Sequence, residues 1–139
     1  MERRDVGSPF FSGDPRMDKY TTKDYYNWKR KGDIVLVIED NGIIKGIADV
    51  VVKGDYLLLD MIAVHALFHG QGVGSKLLNK VEELAGNMNK KGVILEALDS
   101  AVNFYRKHGF VPSHQRIDRE FGVLTVMKKE IRVLETVRS

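Results

Sequence analysis

From residue 33 onward the chain alternates between two kinds of hydrophobic spacing. "DIVLVIED" (33–40), "IIKGIADVVV" (43–52) and "YLLLDMIAV" (56–64) are dense in β-branched and aliphatic residues, which predicts three strands. Asn41-Gly42 joins the first two, a pair suited to the positive φ of a two-residue hairpin, and "KGD" (53–55) marks a second turn. An antiparallel meander follows. The period then changes: from Val73, apolar residues fall at Leu77, Leu78, Val81, Leu84 and Ala85, one face of an amphipathic helix running to about Asn89.

"GVILEAL" (92–98) is short and nearly all apolar, the pattern of a central strand buried on both faces. "SAVNFYRKHG" (100–109) returns to helical spacing through Ala101, Phe104, Tyr105 and His108, with Gly109 as the stop. "FVPSHQ" (110–115) begins another strand, "REFG" (119–122) is a bend, and "VLTVMKK" (123–129) is the last clear strand. "IRVLETVRS" extends it or forms a small further element. Residues 1–20, punctuated by Gly7, Pro9, Gly13 and Pro15, read as an irregular lead-in. "TTKDYYNWKRKG" reads as a short helix capped by Thr21 or Thr22 and stopped at Gly32. The order of elements gives an α/β fold with a mixed sheet, residues 21–139 forming one domain.

Composition narrows the chemistry. The 139 residues are enough for a real core, and 43% hydrophobic with 29% charged is the profile of an ordinary soluble protein. No run approaches the ~18 apolar residues of a membrane span, and the N-terminus lacks an apolar signal region, so the expected location is cytoplasmic. Cysteine is absent, which excludes disulfides, thiolate metal sites and a Cys nucleophile. A net charge of +3 is spread along the chain apart from "NWKRKG" and "MKKE". That suits a phosphate-bearing cofactor and predicts neither a nucleic-acid nor a membrane partner. His65, His69, His108 and His114 share no metal-ligand spacing, so no metal is expected.

The densest signal is "HGQGVG" (69–74), with Gly70, Gly72 and Gly74 at the mouth of the long helix. Glycine there costs backbone entropy, and a helix start offers unpaired N–H groups that favour an anion. A Walker A loop is excluded, because Ser75 stands where that motif has glycine before Lys76. A dinucleotide G-x-G-x-x-G loop lacks its third glycine at Ser75, although Glu96, 22 residues past Gly74, stands where a ribose-binding acid would. A hairpin meander before the loop also argues against that fold.

The stretch "DMIAVHALFHGQGVGSKLL", followed by "NFYRKHGF", resembles the GNAT superfamily of N-acetyltransferases. Its signature [RQ]-x-x-G-x-[GA] falls on residues 69–74, and its [FL]-Y-x-x-x-G-F motif on Phe104-Tyr105-Arg106-Lys107-His108-Gly109-Phe110. The likeness covers roughly residues 33–129. Three departures stand out: His69 replaces Arg or Gln, "LDS" (98–100) replaces the asparagine that opens the second helix, and the usual first strand has no counterpart in residues 1–20.

The resemblance implies a mostly antiparallel sheet flanked by helices, with two central strands splayed apart, and acetyl-CoA as co-substrate. Its pyrophosphate would lie on His69, Gly70, Gln71, Gly72, Val73, Gly74 and Ser75, and its pantetheine arm along Ile62, Ala63 and Val64, with Phe104 and Tyr105 beside it. Transfer to an amine would be direct, without a protein nucleophile. Glu96 is the first candidate for the base that neutralises the amine, and Asp60 the second. A backbone N–H near Val64 would serve the oxyanion, and Tyr105 would protonate the departing thiolate. The resemblance implies an amine acceptor, with a peptide N-terminus mildly preferred, and a monomer or homodimer. Tyr25, Tyr26 and Trp28 fall where the family places acceptor-side helices.

Blander readings stand beside these. The glycines could form only a tight loop, Tyr105 could be a core aromatic, Glu96 a partner for a basic side chain, and Asp60 a structural acid. Two other functions compete as well: a non-catalytic acyl-CoA-binding module, and a dinucleotide-dependent oxidoreductase.

Overall fold

The computed structural model describes residues 32–131. The lead-in (1–20), almost all of the expected 21–32 helix, with Tyr25, Tyr26 and Trp28, and the final segment beyond Ile131 lie outside the described residues.

The strands are β1 (Ile34–Asp40), β2 (Ile43–Lys53), β3 (Tyr56–Val64), β4 (Gly92–Ala97), β5 (Val111–Asp118) and β6 (Gly122–Glu130). The helices are α1 (Val73–Asn87) and α2 (Asp99–Lys107), with a short 3-10 turn at Ala66–Phe68. One sheet runs in the order β1-β2-β3-β4-β6-β5. All neighbours are antiparallel except β3 and β4. The meander forms as its turns require, with Asn41 at φ 51 and Gly42 at φ 79.

Three boundaries differ from the pattern-based expectation. Helix α1 stops at Asn87 rather than about Asn89, because Asn89 takes the left-handed conformation (φ 56) and the Met88 N–H turns back to the Leu84 and Gly86 carbonyls. Helix α2 starts at Asp99 and stops at Lys107, with Gly109 at φ 89 just beyond it. Strand β5 continues to Asp118, whose carboxylate accepts the N–H groups of Glu120 and Phe121 and so closes a tight turn into β6.

Packing follows the two periodicities. Helix α1 buries Val73, Leu77, Leu78, Val81 and Ala85 against β1 to β4. Its close approach is permitted at Gly46, where a Cβ would come within 2.7 Å of Val73 Cγ1 and 2.9 Å of Leu77 Cδ1. Helix α2 packs on β4 and β6, burying Ala101 and Tyr105. Lys129 on β6 reaches Glu82 on α1 at 2.7 Å. Among the described residues no helix is long and apolar enough to cross a membrane.

One glycine fixes the centre of the sheet. A Cβ on Gly92, at the start of β4, would come far closer to the Lys129 carbonyl oxygen on β6 than van der Waals contact allows. Backbone cannot move aside as a side-chain tip can. Gly92→Ala is therefore expected to cost about 2 kcal/mol, the scale of overpacking, read as a lower midpoint in urea denaturation; an unchanged midpoint would mean the two strands adjust freely.

Candidate functional site

The parallel β3–β4 pair is short for a physical reason. Its register runs from Tyr56↔Gly92 to Leu59↔Leu95 and goes no further. Asp60 is an extra residue in β3: pairing with β2 steps from Asp49↔Met61 to Val50↔Leu59, a bulge. A bulge bends its strand and increases local twist. Beyond it, Met61 to Val64 continue along β2 while Glu96 and Ala97 continue along β6. The two strands part there, and among the described residues the β4-facing backbone edge of Ile62, Ala63 and Val64 has no partner strand.

Helix α1 begins at the open end of this cleft. Its N-cap, Gly72, is left-handed (φ 75) and contributes no side-chain cap, and no acidic residue stands in the first turn. Gly70 is also at positive φ (78), and a Cβ on either glycine would meet nothing within 4 Å. Bare peptide groups at the positive end of a helix thus face open space, which fits a phosphate. Val73 and Gly74 are buried in the first turn. Ser75 turns its hydroxyl to His108 Nε2 (2.8 Å), and His108 Nδ1–H donates to the Phe104 carbonyl (2.9 Å). That chain ties the start of α1 to the end of α2.

His69 also has a structural contact. Its Nε2 lies 3.1 Å from the Val64 carbonyl, so the side chain braces the end of β3. Tyr105 is buried with its ring edge-on to Phe104 and Phe110, at centroid distances of 5.4 and 5.7 Å. A separate open groove of about 550 Å³ runs between α2 and β5, lined by Asp99, Asn103, Arg106, His114 and Gln115 among others. It includes none of the glycine-loop residues.

The acids are the main addition to the sequence reading. Gly46, Ala48 and Val50 face α1, so strand alternation puts Asp49 on the opposite face of the sheet. Registers through Val50↔Leu59 and Leu59↔Leu95 put Glu96 on that same opposite face. Glu96 is not alone there: Arg116 from β5 forks onto both its oxygens, through Nε to Oε2 and through NH2 to Oε1 (2.9 Å), and also reaches Asp118 (3.4 Å). The Glu96 carboxylate, bonded first, and then Asp118 hold the Arg116 guanidinium above its ordinary range.

Asp60 is exposed at the bulge. Asp49 is 0% exposed, and the polar groups it faces are the carboxyls of Asp33 and Asp60. Burial, then the facing carboxyls of Asp33 and Asp60, push the Asp49 carboxyl up to about 8. Sequence reading singled out Asp60 and Glu96 and missed Asp49, Asp33 and Arg116. The signal for Asp49 was the same as for Asp60, an acid inside an apolar strand ("GIADVVV"). Arg116 carried none, because its pairing crosses β6.

Comparison with known proteins agrees with this geometry. Residues 31–112 match the model of the acetyltransferase (GNAT) domain. No curated protein matches in sequence. Among solved structures, a GCN5-related N-acetyltransferase from Rhodopseudomonas palustris superposes with TM-score 0.66 at 27% identity, covering 79% of this chain and 69% of that one. Ard1 from Thermoplasma volcanium gives 0.72 at 22% identity over 95% and 98%. The ribosomal-protein-S18-alanine N-acetyltransferase from Escherichia coli gives 0.70 at 20% identity over 81% and 78%. With a family model covering more than half of the chain, and a sheet that opens at a bulge beside a glycine-capped helix, the protein belongs to the GNAT acetyltransferases, enzymes that use acetyl-CoA.

Proposed function

We propose that the protein N-acetylates an amine by direct transfer within the β3–β4 cleft. The observation that carries this reading is the parting of β3 and β4 beyond Leu59 and Leu95, beside the Gly72 cap of α1. The cleft supplies an unpaired strand edge for a peptide-like arm, and the helix supplies N–H groups for phosphate. Acetyl-CoA, when bound, supplies an activated acyl group. The residues Gly70 to Ser75 would hold its pyrophosphate, with His69 acting indirectly through its brace on Val64. Ile62, Ala63 and Val64 would hold the pantetheine arm, and a backbone N–H near Val64 would face the developing oxyanion.

The amine must lose a proton before it attacks. Of the two acids named for that task, Asp60 is the better placed, because both Glu96 oxygens already accept from Arg116. Glu96 and Arg116 then form a fixed wall of the acceptor side. As the amine nitrogen bonds to the acyl carbon, the C–S bond breaks and the thiolate takes a proton, the role assigned to the Tyr105 hydroxyl. A preference for a peptide N-terminus draws its support from Glu96 and Tyr105 acting as a base–acid pair. With Glu96 engaged by Arg116, that support weakens.

Thermal unfolding with acetyl-CoA, CoA, NAD and ATP in parallel tests the cofactor assignment. A ligand at 100 times its Kd adds about 2.7 kcal/mol, several degrees for a chain of this length. Shifts with acetyl-CoA and CoA alone are expected. A shift with NAD instead would overturn the reading in favour of a dinucleotide enzyme, and CoA binding without turnover of any amine would favour a binding module.

A further inference from the structure

The hydrogen bonds from Ser75 through His108 to Phe104 join two parts of the site that the mechanism uses separately. Ser75 stands in the first turn of α1. The first helical bond there runs from the Lys76 N–H to the Gly72 carbonyl (3.1 Å), so the Ser75 N–H lies among the unpaired groups at the helix mouth. Its hydroxyl meets His108 Nε2 at 2.8 Å. The Phe104 carbonyl can only accept, so the hydrogen of the neutral imidazole sits on Nδ1, Nε2 is a bare acceptor, and Ser75 is the donor. One residue thus offers its N–H to the mouth of α1 and its hydroxyl to α2.

His108 reaches Tyr105 by two short routes. Its ring lies 4.3 Å from that of Phe104, which meets Tyr105 edge-on at 5.4 Å. Its backbone N–H bonds to the Tyr105 carbonyl (3.0 Å), which also accepts from the Phe110 N–H (3.0 Å). Helix α2 has 9 residues and packs on β4 and β6. A helix that short is marginal by itself, so its last turn takes its position from such ties.

What lies at the two ends makes this chain more than a brace. At one end are the N–H groups that would hold pyrophosphate, and at the other is the hydroxyl that would protonate the thiolate. A misplacement of about 1 Å at a reacting group can cost roughly 100-fold in rate. We propose that His108 is a positioning residue. Pyrophosphate bound at the mouth of α1 fixes Ser75, and the Ser75–His108 bond passes that constraint to the last turn of α2, setting the Tyr105 hydroxyl against the departing sulfur. Binding at the nucleotide end of acetyl-CoA, remote from the reacting bond, is thereby converted into geometry at the thioester. This inference rests on the acetyltransferase reading and on Tyr105 as the acid.

Acetyl-CoA and acetyl-pantetheine carry the same thioester, and only the first has the nucleotide end. In the parent, kcat with acetyl-CoA is expected to exceed that with acetyl-pantetheine by about 10-fold, the scale of coupling between distinct sites. His108→Ala should remove that advantage. It should lower kcat with acetyl-CoA about 10-fold, while kcat with acetyl-pantetheine stays within about twofold and the Kd for acetyl-CoA within about threefold. His108→Gln keeps one donor and one acceptor at similar reach and should recover most of the loss. Ser75→Ala should match His108→Ala, and the double variant should lose no more than either alone. Ser75→Ala puts the best helix former into a helix, so it carries the test if His108→Ala does not fold. Equal losses on both donors, losses that add in the double variant, or a change confined to KM would leave the pair a structural brace and overturn the proposal.

Hydrogen exchange gives a readout free of turnover. ADP carries a pyrophosphate and no pantetheine arm, so it has no arm to lay beside Tyr105. Saturating ADP is expected to slow exchange of the amides of residues 104–109 about 10-fold in the parent and to leave them unchanged in Ser75→Ala. That pattern without turnover of any amine would uphold the coupling and sink the acetyltransferase reading. Amine acetylation with no effect of ADP on α2 would do the reverse.

Discussion

Tyr105→Phe is expected to lower kcat about 100-fold while leaving the Kd for acetyl-CoA within about twofold, the scale of a lost general acid. The substitution removes one oxygen from a ring that is already packed edge-on between Phe104 and Phe110, so the fold around it should be unchanged. On the proposed mechanism, what it removes is the proton for the departing thiolate. A residue that only filled the core would show the opposite signature, with kcat retained and a small change in unfolding midpoint. Steady-state kinetics and calorimetric binding of acetyl-CoA on the same preparations distinguish the two. Full activity in the Phe variant would end the acid role and leave Tyr105 as a core aromatic.

Asp49→Asn should make the protein more stable, by a margin that grows as pH rises from about 4 to 8. The folded protein raises the Asp49 carboxyl from an ordinary value near 3.8 to about 8, chiefly by burial, then through Asp33 and Asp60. A raised carboxyl binds its proton more tightly folded than unfolded. Its contribution is therefore fully present below about pH 4 and is lost progressively as pH climbs toward 8. Asparagine carries no charge and escapes this loss. After allowance for solvent screening, the variant should gain about 3 kcal/mol at pH 8, on the order of 10 °C in Tm, and approach parity with the parent near pH 4. Thermal melts from pH 4 to 8 check the crossover, and a gap independent of pH would mean the Asp49 carboxyl stays ionised throughout.

Much of the molecule was legible in the sequence because local physics decides it. Alternating and helical hydrophobic spacing placed all six described strands and both described helices. Asn41-Gly42 dictated its hairpin because few other residues accept positive φ, and Gly70 and Gly72 announced a bare helix mouth for the same reason. The order of the two motifs around residues 69–74 and 104–110 then carried the family and its cofactor.

Other features depended on strand register. The bulge at Asp60, which ends the β3–β4 pairing, arises from the match between β2 and β3 and has no signature in β3 alone. Register and alternation together aligned Asp33, Asp49, Asp60 and Glu96 on one face, from positions separated by as much as 63 residues. Arg116 reached Glu96 across an intervening strand, 20 positions away in sequence. Propensity and period fix what each segment becomes, since they act over a few neighbouring residues. Which charges meet, and which acid ends up buried, is decided only when long-range pairing sets the register of the sheet.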